Sequence, residues 1–241
     1  MKHILSAIRR ACDDYQMIEE GDKIAIALSG GKDSITLLMA LKTLKLFYPK
    51  HFSIVALTID PGSNVLDISK LQELCQKLEI EYIVEKTDIK EIVFDIRKEK
   101  NPCSLCANMR RGALNSVAKA HGCNKIALGH HQDDVIETFL LSLFYEGHIH
   151  TFSPVTHLER ADITTIRPMI YVKEKDIKQF VSKNKIEIMP KKCENDGNSK
   201  REDIKNLIIS LSKKIPKIRD CIFGAILRSN IEGWNQQSFR R

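Results

Sequence analysis

The sequence predicts an α/β protein built on a doubly wound parallel sheet, and three observations lead to this prediction. Compact apolar runs rich in isoleucine and valine recur along the chain, as expected of strands that are buried on both faces. Segments with apolar residues at every third or fourth position follow them, as expected of helices. The two patterns alternate at the spacing of strand–helix–strand units, which favours right-handed crossovers and one main domain.

The first half of the chain supplies three strands and three helices. A helical pattern in residues 3–17 is broken by Gly21. The strands that follow are expected at 23–28 (KIAIAL), 52–60 (FSIVALTID) and 80–84, and the helices between and after them at 34–46 and 65–78.

The second half continues the alternation and then becomes basic. Strands are expected at 125–128 and 164–167, and helices at 110–120, 133–145, 174–184 and 201–211. We therefore expect an N-terminal helix in residues 1–20, a main α/β domain in residues 21–170 and a small, basic, helical C-terminal region in residues 171–241.

Charge and cysteine content narrow the class of protein. The formal net charge of +7 favours an anionic partner such as RNA or a nucleotide, with a solvated basic surface as the alternative. No apolar stretch approaches the roughly 18 to 20 residues of a membrane span, and the first residues lack a signal-peptide centre. We expect a cytoplasmic protein without a membrane contact, whose seven cysteines are kept reduced.

A glycine-rich loop joins the first strand to its helix. It reads Ser29-Gly30-Gly31-Lys32-Asp33-Ser34. Glycines let backbone N–H groups approach an anion, and the start of the helix adds positive potential, so the loop is predicted to hold nucleotide phosphates. It is not a Walker A motif, because aspartate follows Lys32. A purely structural Gly-Gly turn is the alternative.

Two cysteines stand three positions apart, at Cys103 and Cys106. The pair is compatible with a redox couple, half of a zinc site, two ligands of an iron–sulfur cluster, or two small buried residues. The remaining cysteines are single, which favours three ligands over four. Cys193 is the expected third ligand, because it lies in a polar segment outside any apolar stripe.

Polar residues also follow the fourth strand, in the segment from Gly129 to Asp134 (GHHQDD). Carboxylates such as Asp133 are favourable in a first helical turn, and beside a triphosphate they can also bind Mg²⁺. His130 or Gln132 is expected to contact phosphate or the adenylated oxygen. Asp60, at the end of the second strand, is a further candidate for nucleotide contact or for a turn cap.

Four segments, SGGKDS, PCSLCANMRRGAL, KIALGHHQDDVIETFLLSLFYEG and IRPMIYVKEKDI, resemble the tRNA 2-thiocytidine synthetases, a cytidine sulfurtransferase family within the PP-loop ATP pyrophosphatases. The resemblance runs from about Ile8 to about Leu211. It implies a Rossmann-like PP-loop fold, ATP, Mg²⁺ and a [4Fe-4S] cluster, and it makes residues 21–170 the ATP-binding catalytic domain. The C-terminal region would carry the third cluster cysteine.

The resemblance and the motifs together assign roles to individual residues. Catalytic roles fall to Lys32, Asp33, Asp133, Cys103 and Cys193. Cluster ligands would be Cys103, Cys106 and Cys193, and magnesium ligands would be Asp33 and Asp133. ATP would be bound by Ser29, Gly30, Gly31, Lys32, Asp33, Ser34, Asp60, Gly129, His130 and Arg110.

The implied reaction is thiolation of a cytidine in the tRNA anticodon loop. The cytidine O2 would attack the α phosphate of ATP, pyrophosphate would leave into the loop, and sulfur would displace AMP. The sulfur donor would be a cysteine desulfurase or sulfide, and a homodimer is one assembly that the sequence allows. Two alternatives remain: a PP-loop enzyme that makes 2-thiouridine or lysidine, and a non-catalytic ATP-binding redox sensor carrying a cluster or zinc.

Overall fold

The centre of the fold is a six-stranded sheet. A computed structural model describes residues 1–62, 67–97, 102–189 and 200–234. Within these residues the strand order is β3-β2-β1-β4-β6-β5, and every neighbouring pair is parallel except β5 with β6. The strands are β1 (Asp22–Ala27), β2 (Phe52–Asp60), β3 (Glu81–Lys86), β4 (Lys125–Ala127), β5 (Val155–Leu158) and β6 (Ile163–Ile166).

Helices cover both faces of the sheet, as the apolar runs predict. Ile24 and Ile26 of β1 point into the larger apolar cluster, whereas Ala25 points into a smaller cluster on the opposite face. The helices are α1 (Lys2–Asp14), α2 (Lys32–Leu44), α3 (Ile68–Lys77), α4 (Pro102–Ala120), α5 (Gln132–Leu141), α6 (Glu174–Lys183), α7 (Lys200–Lys214) and α8 (Ile218–Leu227); π-helical segments occupy Glu91–Arg97 and Ser142–Glu146.

The C-terminal helices share one apolar core with the rest of the protein. The larger cluster includes Ile8 of α1, Leu37 of α2, Ile204 of α7 and Phe223 of α8. Trp234 is fully buried in it, and its indole N–H donates to the carbonyl of Phe152 at 3.0 Å. Contacts across all three predicted segments stabilise the fold together, and their division into domains stays a prediction. Within the described ranges, no helix is long and apolar enough to cross a membrane.

Several elements differ from the sequence prediction, among them the π-helical segment Glu91–Arg97, which was not predicted, and the helix expected at 133–145, whose last turn is the π-helical segment Ser142–Glu146. The helix expected at 110–120 begins earlier, at Pro102, so both Cys103 and Cys106 are helical. Proline suits this first helical position, because its missing N–H would have no partner there. Strand β5 and helix α8 were not predicted, and β5 adds an antiparallel edge to the otherwise parallel sheet.

Candidate active site

The site lies in the crevice between β1 and β4, where the strand order changes direction. β2 and β3 lie on one side of β1, and β4 and β6 on the other. The loops after β1 and β4 therefore diverge and leave a crevice at the carboxyl ends of the strands, where open α/β sheets bind ligands. Gly129 keeps these loops in contact: a Cβ there would lie 3.2 Å from the carbonyl carbon of Asp33. A side chain at position 129 would therefore push the two loops apart by a few tenths of an ångström.

The phosphate loop is held in shape by its own hydrogen bonds. The Ser29 N–H donates to Ser34 Oγ at 3.2 Å, and that hydroxyl donates to the Gly31 carbonyl at 3.0 Å. Gly30 has a φ of +79°, a conformation that favours glycine. Helix α2 starts at Lys32 without a side-chain cap, so its first N–H groups keep their capacity to bind an anion.

The chain entering the loop is braced from the neighbouring strands. Thr58 Oγ1 donates to the Leu28 carbonyl at 2.7 Å, and the Tyr82 hydroxyl donates to Thr58 at 3.0 Å. On the other side, the Met189 N–H donates to the Gly30 carbonyl at 3.0 Å. The loop therefore has fixed neighbours in β2, β3 and the segment after α6.

Lys32 lies between two carboxylates. Its ammonium is 2.8 Å from Asp33 Oδ2 and 3.2 Å from Glu174 Oε1. Burial disfavours the ammonium, but the hydrogen bonds and charges of Asp33 and Glu174 outweigh it, so the pKa of Lys32 is raised. Burial would also raise the pKa of Glu174, yet the hydrogen bond from Lys178 and the charge of Lys32 lower it to about 2. Both groups are ionised at neutral pH.

The segment after β4 contributes a histidine next to the phosphate loop. His131 is the N-cap of α5. Its ring Nδ1 accepts from the backbone N–H of Asp134 at 3.4 Å, and the backbone N–H of His131 donates to Asp134 Oδ2 at 2.9 Å. This reciprocal pair fixes the ring, whose Nε2 lies 3.7 Å from Asp33 Oδ1. Sequence reasoning chose His130 or Gln132 for contact with phosphate, but His131 is the residue that faces Asp33.

Asp133 connects α5 to the C-terminal helices. Its Oδ2 accepts from the Glu174 N–H at 2.7 Å, and its Oδ1 is 2.6 Å from Arg219 Nη1. Asp134 and Glu137 are paired with Arg201 at 3.5 and 3.4 Å. The carboxylates of α5 are therefore matched by arginines of α7 and α8, a connection without a local sequence signal.

His130 packs against an aromatic ring at the ends of β4 and β6. Its imidazole lies 4.9 Å from the Phe152 ring, and the Arg167 guanidinium lies 5.1 Å from the same ring. Burial and the charge of Arg167 lower the pKa of His130 to about 4, so the ring is neutral at pH 7. Its buried Nδ1 has no hydrogen-bond partner among the described residues.

The cysteine pair lies on the first two turns of α4. Cys103 is exposed and Cys106 is half-buried, and helical spacing puts them on one side of the helix. Cys193 lies outside the described residues. Within the described ranges, no three His, Cys, Asp or Glu side chains form a group that could hold a metal ion.

Comparison with known proteins identifies the family. The family model of the PP-loop domain matches residues 3–211. A tRNA-cytidine(32) 2-sulfurtransferase from Syntrophotalea carbinolica is 38% identical over 220 residues, which cover 90% of this chain and 85% of that protein. The chain belongs to the tRNA-cytidine 2-sulfurtransferase family of PP-loop proteins. A second relative of the same name, from Geotalea daltonii, is 38% identical over 228 residues. The match covers 93% of the present chain and 90% of the Geotalea protein.

A solved structure shows the same fold for this tRNA-cytidine 2-sulfurtransferase family member. The U34-tRNA thiolase of Methanococcus maripaludis, solved with its [4Fe-4S] cluster, matches with a TM-score of 0.73 and 21% identity. The match covers 98% of this chain and 78% of that chain. The predicted PP-loop fold and the resemblance to the sulfurtransferases are both confirmed.

The predicted site residues of this family member are brought together only in part. The phosphate loop and Gly129 meet in the crevice, where the unpredicted His131 joins them, and Asp60 ends β2, where its Oδ1 accepts from the Gly62 N–H at 3.1 Å. Arg110 is half-buried on α4, in the same helix as the cysteine pair. Contacts that sequence reasoning missed are those of Glu174, Met189, Arg201 and Arg219.

Proposed function

We propose that the protein is an ATP-dependent tRNA sulfurtransferase that converts an anticodon-loop cytidine to 2-thiocytidine. The cytidine O2 attacks the α phosphate of ATP, and the bond to the bridging oxygen breaks to release pyrophosphate. Sulfide then attacks C2, and AMP leaves with the former O2. The observation that carries the proposal is the uncapped start of α2, with Lys32 beside it, in the crevice of a chain whose relatives bear this activity.

The phosphate loop and its lysine stabilise the leaving pyrophosphate. Backbone N–H groups of Gly31 and Lys32 are the donors, and the Lys32 ammonium balances the charge that develops. The hydroxyls of Ser29 and Ser34 donate within the loop and must turn toward the phosphate before they can add to these donors. A group bound here lies at the carboxyl end of β1, and Met189 packs against Gly30 on one side of the loop. The same loop residues bind ATP before the reaction.

Magnesium fits Asp33 better than Asp133 in this arrangement. The Asp33 carboxylate is about one-third exposed and faces the crevice beside Lys32 and His131. Lys32 contacts both oxygens of Asp33, but Glu174 is a second anchor for that ammonium. Both oxygens of Asp133 are engaged by Arg219 and by the start of α6, so Asp133 must leave Arg219 before it can bind a cation. Asp33 is accordingly the principal Mg²⁺ ligand of the proposal, with Asp133 as a second ligand only after that exchange.

A [4Fe-4S] cluster fits the cysteine pair. Thiolates are favoured at a helix N-terminus, and Cys103 and Cys106 stand one turn apart there, with Cys103 open to solvent. These two residues and Cys193 would hold the cluster, which when bound supplies a site that presents sulfur as a nucleophile.

The partners follow from charge and chemistry. The net charge of +7 and the lysines of the C-terminal region favour tRNA, whose anticodon-loop bases are unpaired and accessible. A cysteine desulfurase or inorganic sulfide supplies the sulfur. We place the protein in the cytoplasm, as a monomer or a homodimer.

The test is mass spectrometry of tRNA nucleosides from cells with and without the gene, complemented with wild type, Cys103→Ser or Cys221→Ser. We expect 2-thiocytidine to disappear on deletion and to return with wild type and Cys221→Ser, since Cys221 is an exposed cysteine on α8. Cys103→Ser restores none. Undiminished product with Cys103→Ser would point instead to lysidine-type chemistry, and loss of a 2-thiouridine would show that the base is wrong.

Assays on the anaerobically purified protein complete the test. Wild type is expected to contain iron and to convert ATP to AMP and pyrophosphate when tRNA is present. Zinc without iron would overturn the cluster. ATP binding without turnover in the presence of tRNA would favour the redox sensor.

A further inference from the structure

Glu174 collects three ammonium groups from three helices. It is the first residue of α6, and its side chain is only 14% exposed. Its Oε1 lies 3.2 Å from Lys32 of α2 and 3.7 Å from Lys205 of α7, and its Oε2 lies 3.0 Å from Lys178 of α6. One carboxylate thus joins the phosphate loop to two helices of the C-terminal half.

The position of Glu174 is itself fixed from two sides. Its backbone N–H donates to Asp133 Oδ2 at 2.7 Å, and Asp133 is held by Arg219 of α8 at 2.6 Å. The start of α6 is therefore tied to both α5 and α8. Because these partners lie on packed helices rather than on a loop, the carboxylate has a defined place relative to the crevice.

A lysine beside a leaving group needs such an anchor. Its four-carbon stem is flexible, and ordering it costs free energy. The other carboxylate on Lys32 is Asp33, the proposed magnesium ligand, which cannot serve both cations equally. Glu174 can hold the ammonium while Asp33 turns to the metal. Its own charge is offset by Lys178 and Lys205, so it repels the phosphates little.

We infer that Glu174 is a positioning residue for adenylation, which fixes the direction of the Lys32 ammonium toward the departing pyrophosphate and leaves Asp33 to bind magnesium. The inference rests on the proposed function. In this proposal Glu174 does not contact the substrate and acts only through Lys32.

The test compares Glu174→Gln with wild type in two separate measurements. Titration calorimetry with Mg²⁺·ATP alone gives the affinity, and thiolation of tRNA at saturating ATP gives kcat. We expect kcat to fall by about tenfold to a hundredfold, since misplacing a reacting or catalytic group by about 1 Å can cost up to about a hundredfold. The Kd for ATP is expected to change by less than about threefold, because Lys32, Lys178 and Lys205 keep their charge in Glu174→Gln and still attract phosphate.

Asp176→Asn is the matched control. Asp176 lies in the same first turn of α6, so both variants remove one charge from the helix start, but Asp176 faces His3 at 3.6 Å rather than Lys32. The control is expected to keep the wild-type kcat and Kd. Glu174→Asp keeps the charge and withdraws it by one methylene, so its kcat should also stay below that of wild type.

The outcomes separate the inference from the proposed function. If wild type neither binds ATP nor thiolates tRNA, the proposed function fails first. If wild type is active and Glu174→Gln matches Asp176→Asn in kcat, the positioning role is wrong. If Glu174→Gln loses both melting temperature and ATP affinity, Glu174 stabilises the fold and does not position Lys32. If Glu174→Asp keeps the wild-type kcat, the charge of the residue matters and its exact position does not.

Discussion

Gly30 meets two separate structural demands, and replacing it with alanine should be costly. The residue has a φ of +79°, and an added Cβ would lie 2.6 Å from Cγ and 2.9 Å from Cβ of Met189. These methionine atoms are near the backbone and cannot swing away as the end of a side chain could. The Met189 N–H also donates to the Gly30 carbonyl, so the two residues cannot simply separate.

The magnitude follows from these two terms. A residue with a Cβ in the left-handed region loses about 1–2 kcal/mol, and overpacking a filled site costs about 1–3 kcal/mol more. We expect Gly30→Ala to lower the free energy of unfolding by about 2–5 kcal/mol. This is a large part of the total free energy of unfolding of a typical domain, which is about 5–15 kcal/mol. Gly21→Ala is the control: Gly21 has a φ of +82° but no atom within 4 Å of the added Cβ.

Urea unfolding followed by circular dichroism measures both variants. The difference between Gly30→Ala and Gly21→Ala isolates the contact with Met189. In a Met189→Ala background, which removes the nearer atom, Gly30→Ala should cost less than in wild type. Equal free energies for the two alanine variants, or no change in the Met189→Ala background, would refute the close packing of Met189 on the phosphate loop.

Two further predictions concern buried charge. Arg219→Gln should lower the free energy of unfolding by about 2 kcal/mol, because the Asp133 carboxylate is only 10% exposed and loses its cation. Lys173→Gln is the control, since it removes the partner of Asp220, whose side chain is exposed. This change should cost less than about 1 kcal/mol in the same urea assay. Similar losses would contradict the role of burial. His130 supplies a pH dependence: its pKa of about 4 in the folded protein lies below its ordinary 6.5, so the unfolded chain binds more protons between these values. Stability is therefore complete above pH 6.5 and declines as the pH falls toward 4, and His130→Asn should flatten this slope in urea titrations at stepped pH. An unchanged slope would show that His130 is not the group responsible.

The parts of the site that sequence could predict are local. A strand, two glycines and a helix start are contiguous in residues 23–46, so their pattern alone indicates a phosphate loop. The cysteine pair is equally local, although Pro102 was the only signal that both cysteines are already helical. Gly129 could be expected near phosphate, because it follows the fourth predicted strand and ligands bind at the carboxyl ends of such strands.

The parts that sequence could not predict depend on tertiary contacts. Glu174, Arg201 and Arg219 look like ordinary surface charges. The pair of Glu174 with Lys178 is local, but the contact of Glu174 with Lys32 and the contacts of the two arginines with α5 arise only from packing. His131 and His130 are adjacent and chemically alike, and the capping geometry of α5 decides which one faces Asp33. No pattern within the segment contains that information.

The two missed elements have weak patterns for physical reasons. Strand β5 is four residues long and lies at an exposed antiparallel edge, so its apolar alternation is short. Helix α8 packs against both α5 and α7 and has few polar residues to mark a solvent face. Periodicity is most informative for long elements whose exposed side is polar, and neither of these is such an element.

The sheet order also has a consequence during protein synthesis. β1 pairs with β2, made shortly after it, on one edge, but its other edge waits for β4, which begins only at Lys125. Until the ribosome has delivered that strand, the nascent chain presents an apolar strand edge without a partner, the kind of edge that aggregates. The crevice of the candidate site lies between the loops that follow these two paired strands, so the half-made chain has the phosphate loop but lacks the other side of that site.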